Sequence, residues 1–188
     1  MTFSELVDGR RAAVCARWLE AILADYGDET AARWRRERDP FANPVGHALA
    51  AALPALLDAA LDGGEPAAGA RAALETIVRI RSVQELAASR AVGFVGALRS
   101  AVREELAAEL AGGAHAAALA SLDTGVERLT LAAFDAYVRI REQVFRLRQE
   151  ELRRSVGALL RRWHGQDAPA HDVVQLSPPA ARGTPGGA

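Results

Sequence analysis

Between Asp39 and His47 the chain reads Asp-Pro-Phe-Ala-Asn-Pro-Val-Gly-His, and two prolines with an aromatic in nine residues stop any helix that reaches them. The flanks are rich in Ala, Leu and Arg, all good helix formers, so the segment must be a joint between helices. Asn43 followed by Pro44 reads as an N-cap and the first helical position, where a missing N–H costs nothing. Phe41, just before the cap, is expected to pack back against the new helix, and Gly46 and His47 fall about one turn in.

The remaining elements follow from helix punctuation. Thr2 and Glu5 form a capping box, so a first helix starts at once and carries the stripe Leu6, Ala13, Val14, Trp18, Ile22 and Leu23 to a stop at Tyr26-Gly27. A short, charged second helix spans about Asp28 to Arg38 around Trp34. The third runs from Pro44 to about Leu61, and Pro54 should kink it or divide it in two. Asp62-Gly63-Gly64 ends it. A fourth begins near Pro66 and carries Leu74, Ile77, Val78 and Ile80. A fifth, about Ala88 to Leu110, has Val92, Val95, Leu98, Val102 and Leu106 on one face, with Gly93 and Gly96 open to a close neighbour. No segment alternates with period two, so the expectation is an all-α fold of about six helices.

The last helix is the exception in length. No proline interrupts about Asp123 to Trp163, and at 1.5 Å per residue it would run roughly 60 Å. A globule of this size is about 40 Å across, so the far end is expected to protrude. Val126, Leu129, Ala133, Tyr137, Ile140, Val144 and Leu147 make a stripe for the core. The second half changes phase to Leu152, Val156, Leu159, Leu160 and Trp163, which need a second copy or another protein as cover. The domain is expected to span 1–164, with 165–188, rich in Pro, Ala and Gly, a disordered tail.

Composition narrows the functional classes. With 188 residues, half of them apolar, the chain can bury one core. Its net charge of −1 gives no global attraction to nucleic acid or anionic membrane. All 23 basic residues are Arg, which reads as codon bias. The single Cys15 excludes an internal disulfide or a thiolate metal cluster and reads as an inert core residue. An N-terminus carrying acid and Arg is no signal peptide, and no run of about 18 uncharged apolar residues occurs. The expectation is a cytoplasmic protein without membrane contact.

Three motifs in fixed order carry a family resemblance: Phe41-Ala42-Asn43-Pro44-Val45-Gly46-His47, then Arg79-Ile80-Arg81-Ser82-Val83-Gln84, then Ala133-Phe134-Asp135-Ala136-Tyr137 with Arg141-Glu142 beyond it. Over about residues 3 to 155 the chain resembles the N-terminal sensor domain of RsbR/RsbRD-type proteins, the co-antagonists of the bacterial general stress pathway. The resemblance implies an all-helical domain, similar to a globin fold without haem, that dimerises and passes a signal through its last helix to a C-terminal output domain. The sequence after that helix leaves no room for a phosphorylatable STAS output domain, which implies a stand-alone sensor or adaptor.

Candidate chemistry is sparse. His47 is the most suggestive of four histidines, but His115, His164 and His171 offer no ligand spacing, so it reads as a capping or packing residue, and neither metal nor cofactor is expected. Arg79 and Arg81 flank Ile80 and point to different sides, so one of the two is expected to turn inward and meet an acid such as Asp135; with Gln84 and Tyr137 this would be a ligand site or a helix-pairing polar cluster. Asp135 and Glu142, like Glu104, Glu105 and Glu109, sit beside no nucleophile, and Gly63-Gly64 and Gly112-Gly113 follow no strand, so no catalytic constellation is expected. Trp18, Trp34 and Phe94 read as core. Arg146, Arg148, Arg153, Arg154, Arg161 and Arg162, against Glu150 and Glu151, read as a solvated face beside a helix seam. The sequence thus points to a non-enzymatic regulatory module, a homodimer with a protein partner. A globin-like carrier of haem or another small ligand, and nucleic-acid binding through the Arg-rich end, remain as alternatives.

Overall fold

The computed structural model describes residues 1–37, 39–84 and 86–166; the expected tail from residue 167 on, including His171, and the side chains of Arg161, Arg162 and His164 lie outside the described residues, while Gly165 and Gln166, expected in the tail, belong to the last helix. The described residues form nine α-helices: α1 Phe3–Gly9, α2 Arg11–Leu23, α3 Asp28–Arg36, α4 Pro44–Asp62, α5 Ala68–Val83, α6 Ala88–Gly93, α7 Ala97–Glu105, α8 Ala107–Leu110 and α9 Ala116–Gln166. The chain divides into two compact units, the first ending at Phe145 and the second beginning at Arg146. The core described below belongs to the first.

The all-α expectation holds, and its six elements appear as nine because two are broken by tertiary contacts. The capping box forms as expected, Thr2 N–H donating to Glu5 and Glu5 N–H to the Thr2 hydroxyl. The helix then breaks at Arg10, whose backbone leaves helical geometry while its guanidinium donates to the Glu105 carbonyl at 2.8 Å. Ala13, expected in the core stripe, is exposed, whereas Val14, Trp18 and Ile22 are fully buried. The expected fifth helix is interrupted between α6 and α7. There the N–H groups of Val95 to Arg99 all bond three residues back, a tighter 3₁₀-like pitch. At this turn the Phe94 carbonyl, which also accepts the Ala97 N–H at 3.2 Å, accepts the Trp18 indole N–H at 2.7 Å. Gly93 and Gly96 therefore mark a break, and no neighbouring chain presses on Gly93.

Helix α4 is continuous through the exposed Pro54. Among the described residues it alone has the length and apolarity of a membrane-crossing helix, with mean hydropathy 1.4. Its buried face of Leu49, Leu53, Leu56, Leu57 and Ala60 belongs to the protein's own core, packed mainly on α5 and α2. α9 begins at Ala116, seven residues before the expected start. Those extra residues bring Leu122 into the core and Gly125 onto α4, where a Cβ would lie 2.0 Å from the Ala60 carbonyl oxygen. Only glycine permits that approach. Val126, Leu129, Ala133 and Ile140 are buried as the stripe predicts; Leu147 is exposed.

Candidate functional site

The joint works through Asn43. Its carbonyl oxygen accepts the Gly46 N–H at 2.9 Å, and its amide donates to the carbonyls of Trp34 at 3.0 Å and Glu37 at 3.1 Å. One buried side chain thus satisfies the open end of α3 and the start of α4 together, and Pro44 takes the first helical position. Gly46 is required because a Cβ there would lie 2.4 Å from the Asn43 amide. Phe41 departs from expectation: it is 95% exposed. The reason is register. A staple joins the residue before the cap to the fourth helical position, which are Ala42 and His47, so Phe41 has no apolar partner. An Asx turn, with Phe41 N–H donating to the Asp39 carboxylate at 3.0 Å, holds it at the bend. His47 is likewise exposed, on the rim of a hollow of about 200 Å³ shared with Trp34, Arg35 and Asn43.

The expected polar cluster is not assembled as proposed. Arg81 is turned inward and fully buried, while Arg79, Gln84 and Asp135 are exposed. Arg81 pairs with Asp25, at the end of α2, and not with Asp135. It also donates to the carbonyls of Arg90 at 2.7 Å and Ala91 at 3.2 Å, and approaches the Tyr26 hydroxyl at 3.5 Å. Its guanidinium stands 5.6 Å from the Tyr26 and Phe94 ring centres, within cation–π range of both. One side chain of α5 therefore fastens the α2–α3 turn and the α6 end. Burial pushes the Tyr26 phenol above its ordinary value, with the Arg81 charge opposing part of that rise. Sequence reasoning left open whether Arg79 or Arg81 turns inward, and it missed Asp25, which lies 56 residues away. Tyr137 stands apart from these contacts, its hydroxyl donating to the Leu86 carbonyl at 3.5 Å.

Asp135 lines a separate cleft of about 360 Å³ between α5 and α9, with Arg71, Glu75 and Arg139. Arg139 and Glu75 pair across it at 2.7 Å. The carboxylates of α7 and α8 are also tied to other helices: Glu104 and Glu105 to Arg17, and Glu109 to Arg10. Asp123 of α9 meets both Arg99 and Arg103. Cys15 is half-buried against the core, and burial raises its thiol above the ordinary range. Trp18 and Phe94 stack in the core with centres 6.5 Å apart, and the half-buried Trp34 tilts onto Tyr26 at 4.8 Å. His115 lies beside Phe3, ring centres 6.0 Å apart. Among the described residues no group of three or more His, Cys, Asp or Glu is placed to hold a metal ion.

In the second unit, Leu152, Val156, Leu159, Leu160 and Trp163 are all at least half exposed. Arg154 pairs with Glu150 along the same helix at 3.6 Å.

Buried side-chain clamps at helix joints and a terminal helix with uncovered apolar residues define the class, an all-α helical domain. The model of the RsbT co-antagonist protein rsbRD N-terminal domain matches residues 12–152, and the chain belongs to that family of regulatory domains. The match contains all three motifs that carried the resemblance. No curated protein and no solved structure matches the chain.

Proposed function

We propose that this domain is a non-enzymatic stress-signalling adaptor of the cytoplasm that acts as a homodimer and docks a protein partner through its last helix. The supporting observation is the exposure of Leu152, Val156, Leu159, Leu160 and Trp163, from 50% to 67%, on a helix whose charged residues could have been placed there instead. Five large apolar side chains in water are a standing cost that a partner removes. Family membership supports the regulatory role. The mechanism is a population shift: a ligand or partner that favours one arrangement of the helices biases α9. The joint formed by Phe41, Asn43, Pro44, Gly46 and His47 sets how α3 meets α4, and Arg81 sets how α5 meets α2 and α6. These are the places where such a bias enters, with Phe41 and His47 exposed for contact.

The test is the solution mass of the full chain over a range of concentrations. The expected result is a dimer whose dissociation constant rises at least tenfold when Leu160→Glu and Trp163→Glu are combined. A chain that stays monomeric at every concentration overturns the reading.

A further inference from the structure

Arg71 and Asp135 line the same cleft between α5 and α9, within the first unit, and form no ion pair with each other. Two contacts fix how the helices run past one another. Gly63, just before α5, lies beside the Ser121 carbonyl of α9, and Glu75 of α5 meets Arg139 of α9, so residue numbers climb together along both helices. The Glu75–Arg139 pair closes one end of the cleft. One turn before it, the two helices bring Arg71 and Asp135 to opposite walls.

Neither charge is well satisfied by the fold. Asp135, although it stands in the third sequence motif, has no hydrogen bond or ion pair among the described residues. Arg71 donates through Nε to the Pro66 carbonyl at 2.8 Å, and its terminal nitrogens meet only Glu65, at 3.5 Å. Both partners of that pair are mostly exposed, and such a pair in water is worth little and yields to a better-placed anion. The base of the cleft is apolar. Leu74 and Ala136 are buried there, and the half-buried Ala132 lies one turn before Ala136. The two small alanines leave a cavity of about 360 Å³, within the range of small-molecule sites.

A cation and an anion on opposite walls of an apolar floor fit a molecule that carries both charges and an apolar group. We infer that this cleft binds a zwitterion of the α-amino-acid type. Its carboxylate lies on the Arg71 guanidinium, its ammonium on Asp135, and an aliphatic side chain on Leu74, Ala132 and Ala136. The guanidinium fork matches a carboxylate, and a carboxylate lacking a partner accepts from an ammonium. A ligand that is only anionic would face Asp135 unpaired, and one that is only cationic would face Arg71. The bound zwitterion fastens α5 to α9 and stabilises the fold by mass action. The site does not depend on the dimer proposed above.

Calorimetry and thermal melts of the full chain with L-leucine test this. A saturable heat with a dissociation constant of about 1 mM or below is expected, with a melting midpoint that rises as leucine is added. Leucinamide, without the carboxylate, and isocaproate, without the ammonium, should each bind at least tenfold more weakly. Asp135→Asn and Arg71→Gln should each weaken leucine binding at least tenfold. Glu127→Gln, exposed on the same helix about two turns away, should change it less than twofold. Asp135 makes no contact that the fold needs, so Asp135→Asn carries the test even if Arg71→Gln loses helicity. The inference is overturned by no saturable binding at tens of millimolar, by an analogue that binds as tightly as leucine, or by leucine binding that survives Asp135→Asn. None of these results bears on the dimer, and a monomeric chain that binds leucine overturns the proposed function while keeping the site.

Discussion

Replacing Arg81 with Met keeps the length of the side chain but leaves Asp25 and the Arg90 and Ala91 carbonyls without their donor. Breaking a buried charge pair from one side costs about 3 kcal/mol or more, so Arg81→Met should lower the denaturant midpoint sharply. Asp25→Asn, which keeps an oxygen acceptor for the guanidinium at a half-buried position, should cost less; equal losses in urea titrations would contradict this account. Gly125→Ala puts a methyl group against the Ala60 backbone, which cannot withdraw as a flexible side chain could, and an overpacking cost of about 1–3 kcal/mol is expected. Cys15 and Tyr26 are both raised by burial. An acid that is neutral when protonated and raised in the fold contributes fully below its unfolded value, and the contribution is lost as pH rises through the folded value. Stability should therefore decline from about pH 9 upward, first through Cys15, whose ordinary value is 9.0, then through Tyr26, at 10.0. Urea midpoints of Cys15→Ser and Tyr26→Phe should show a shallower alkaline loss than the wild type. At this scale the sequence revealed Asn43 as a cap, because that signal is local, and it placed an inward charge at Arg79 or Arg81 without choosing between them. Asp25 and Gly125 depend on what lies across the fold, whereas the outward turn of Phe41 is a matter of local register that the sequence reading placed one residue off.

Among the elements, α4 carries a visible defect. Pro54 sits mid-helix and exposed, and the helix continues past it with one N–H missing. Pro54→Ala restores that donor without adding bulk to the core. It should stabilise the domain by about 2–3 kcal/mol, the helix-interior cost of proline less its smaller effect on the unfolded chain, read as a higher denaturation midpoint; a lower midpoint would mean that the core is fitted to the proline's bend. The interruptions at Arg10 and between Gly93 and Ala97 were not legible because each exists to serve a distant contact. The first goes with a guanidinium on the Glu105 carbonyl, the second with the Trp18 indole on Phe94. Helix ends written in glycine or asparagine, at Asn43 and Gly63, fell where the sequence put them.

For the whole molecule, the apolar exposure on α9 and the Arg-rich stretch from Arg146 onward make opposite demands on salt. An apolar dimer is not weakened by screening, whereas binding to nucleic acid through arginines falls steeply as salt rises. The dimer dissociation constant is expected to stay level or fall between low and high salt, measured by sedimentation, and a steep rise with salt would place the association on charge instead. The division of the chain at Phe145/Arg146 is another feature that hydrophobic periodicity alone did not locate. Exposed Leu131, Phe134 and Val138 interleave with buried Leu129, Ala133 and Ile140 on α9, so what reads along the sequence as a change of phase is a second face that has already begun.

The sequence by itself determined an all-helical chain, the cap at Asn43, the core faces of the helices and the family, since each is written in spacing a few residues long. Tertiary structure alone decided which acid meets Arg81, where helices break, and which side of α9 is left open. Those outcomes depend on pairs dozens of residues apart, and only the packed core brings such pairs within reach.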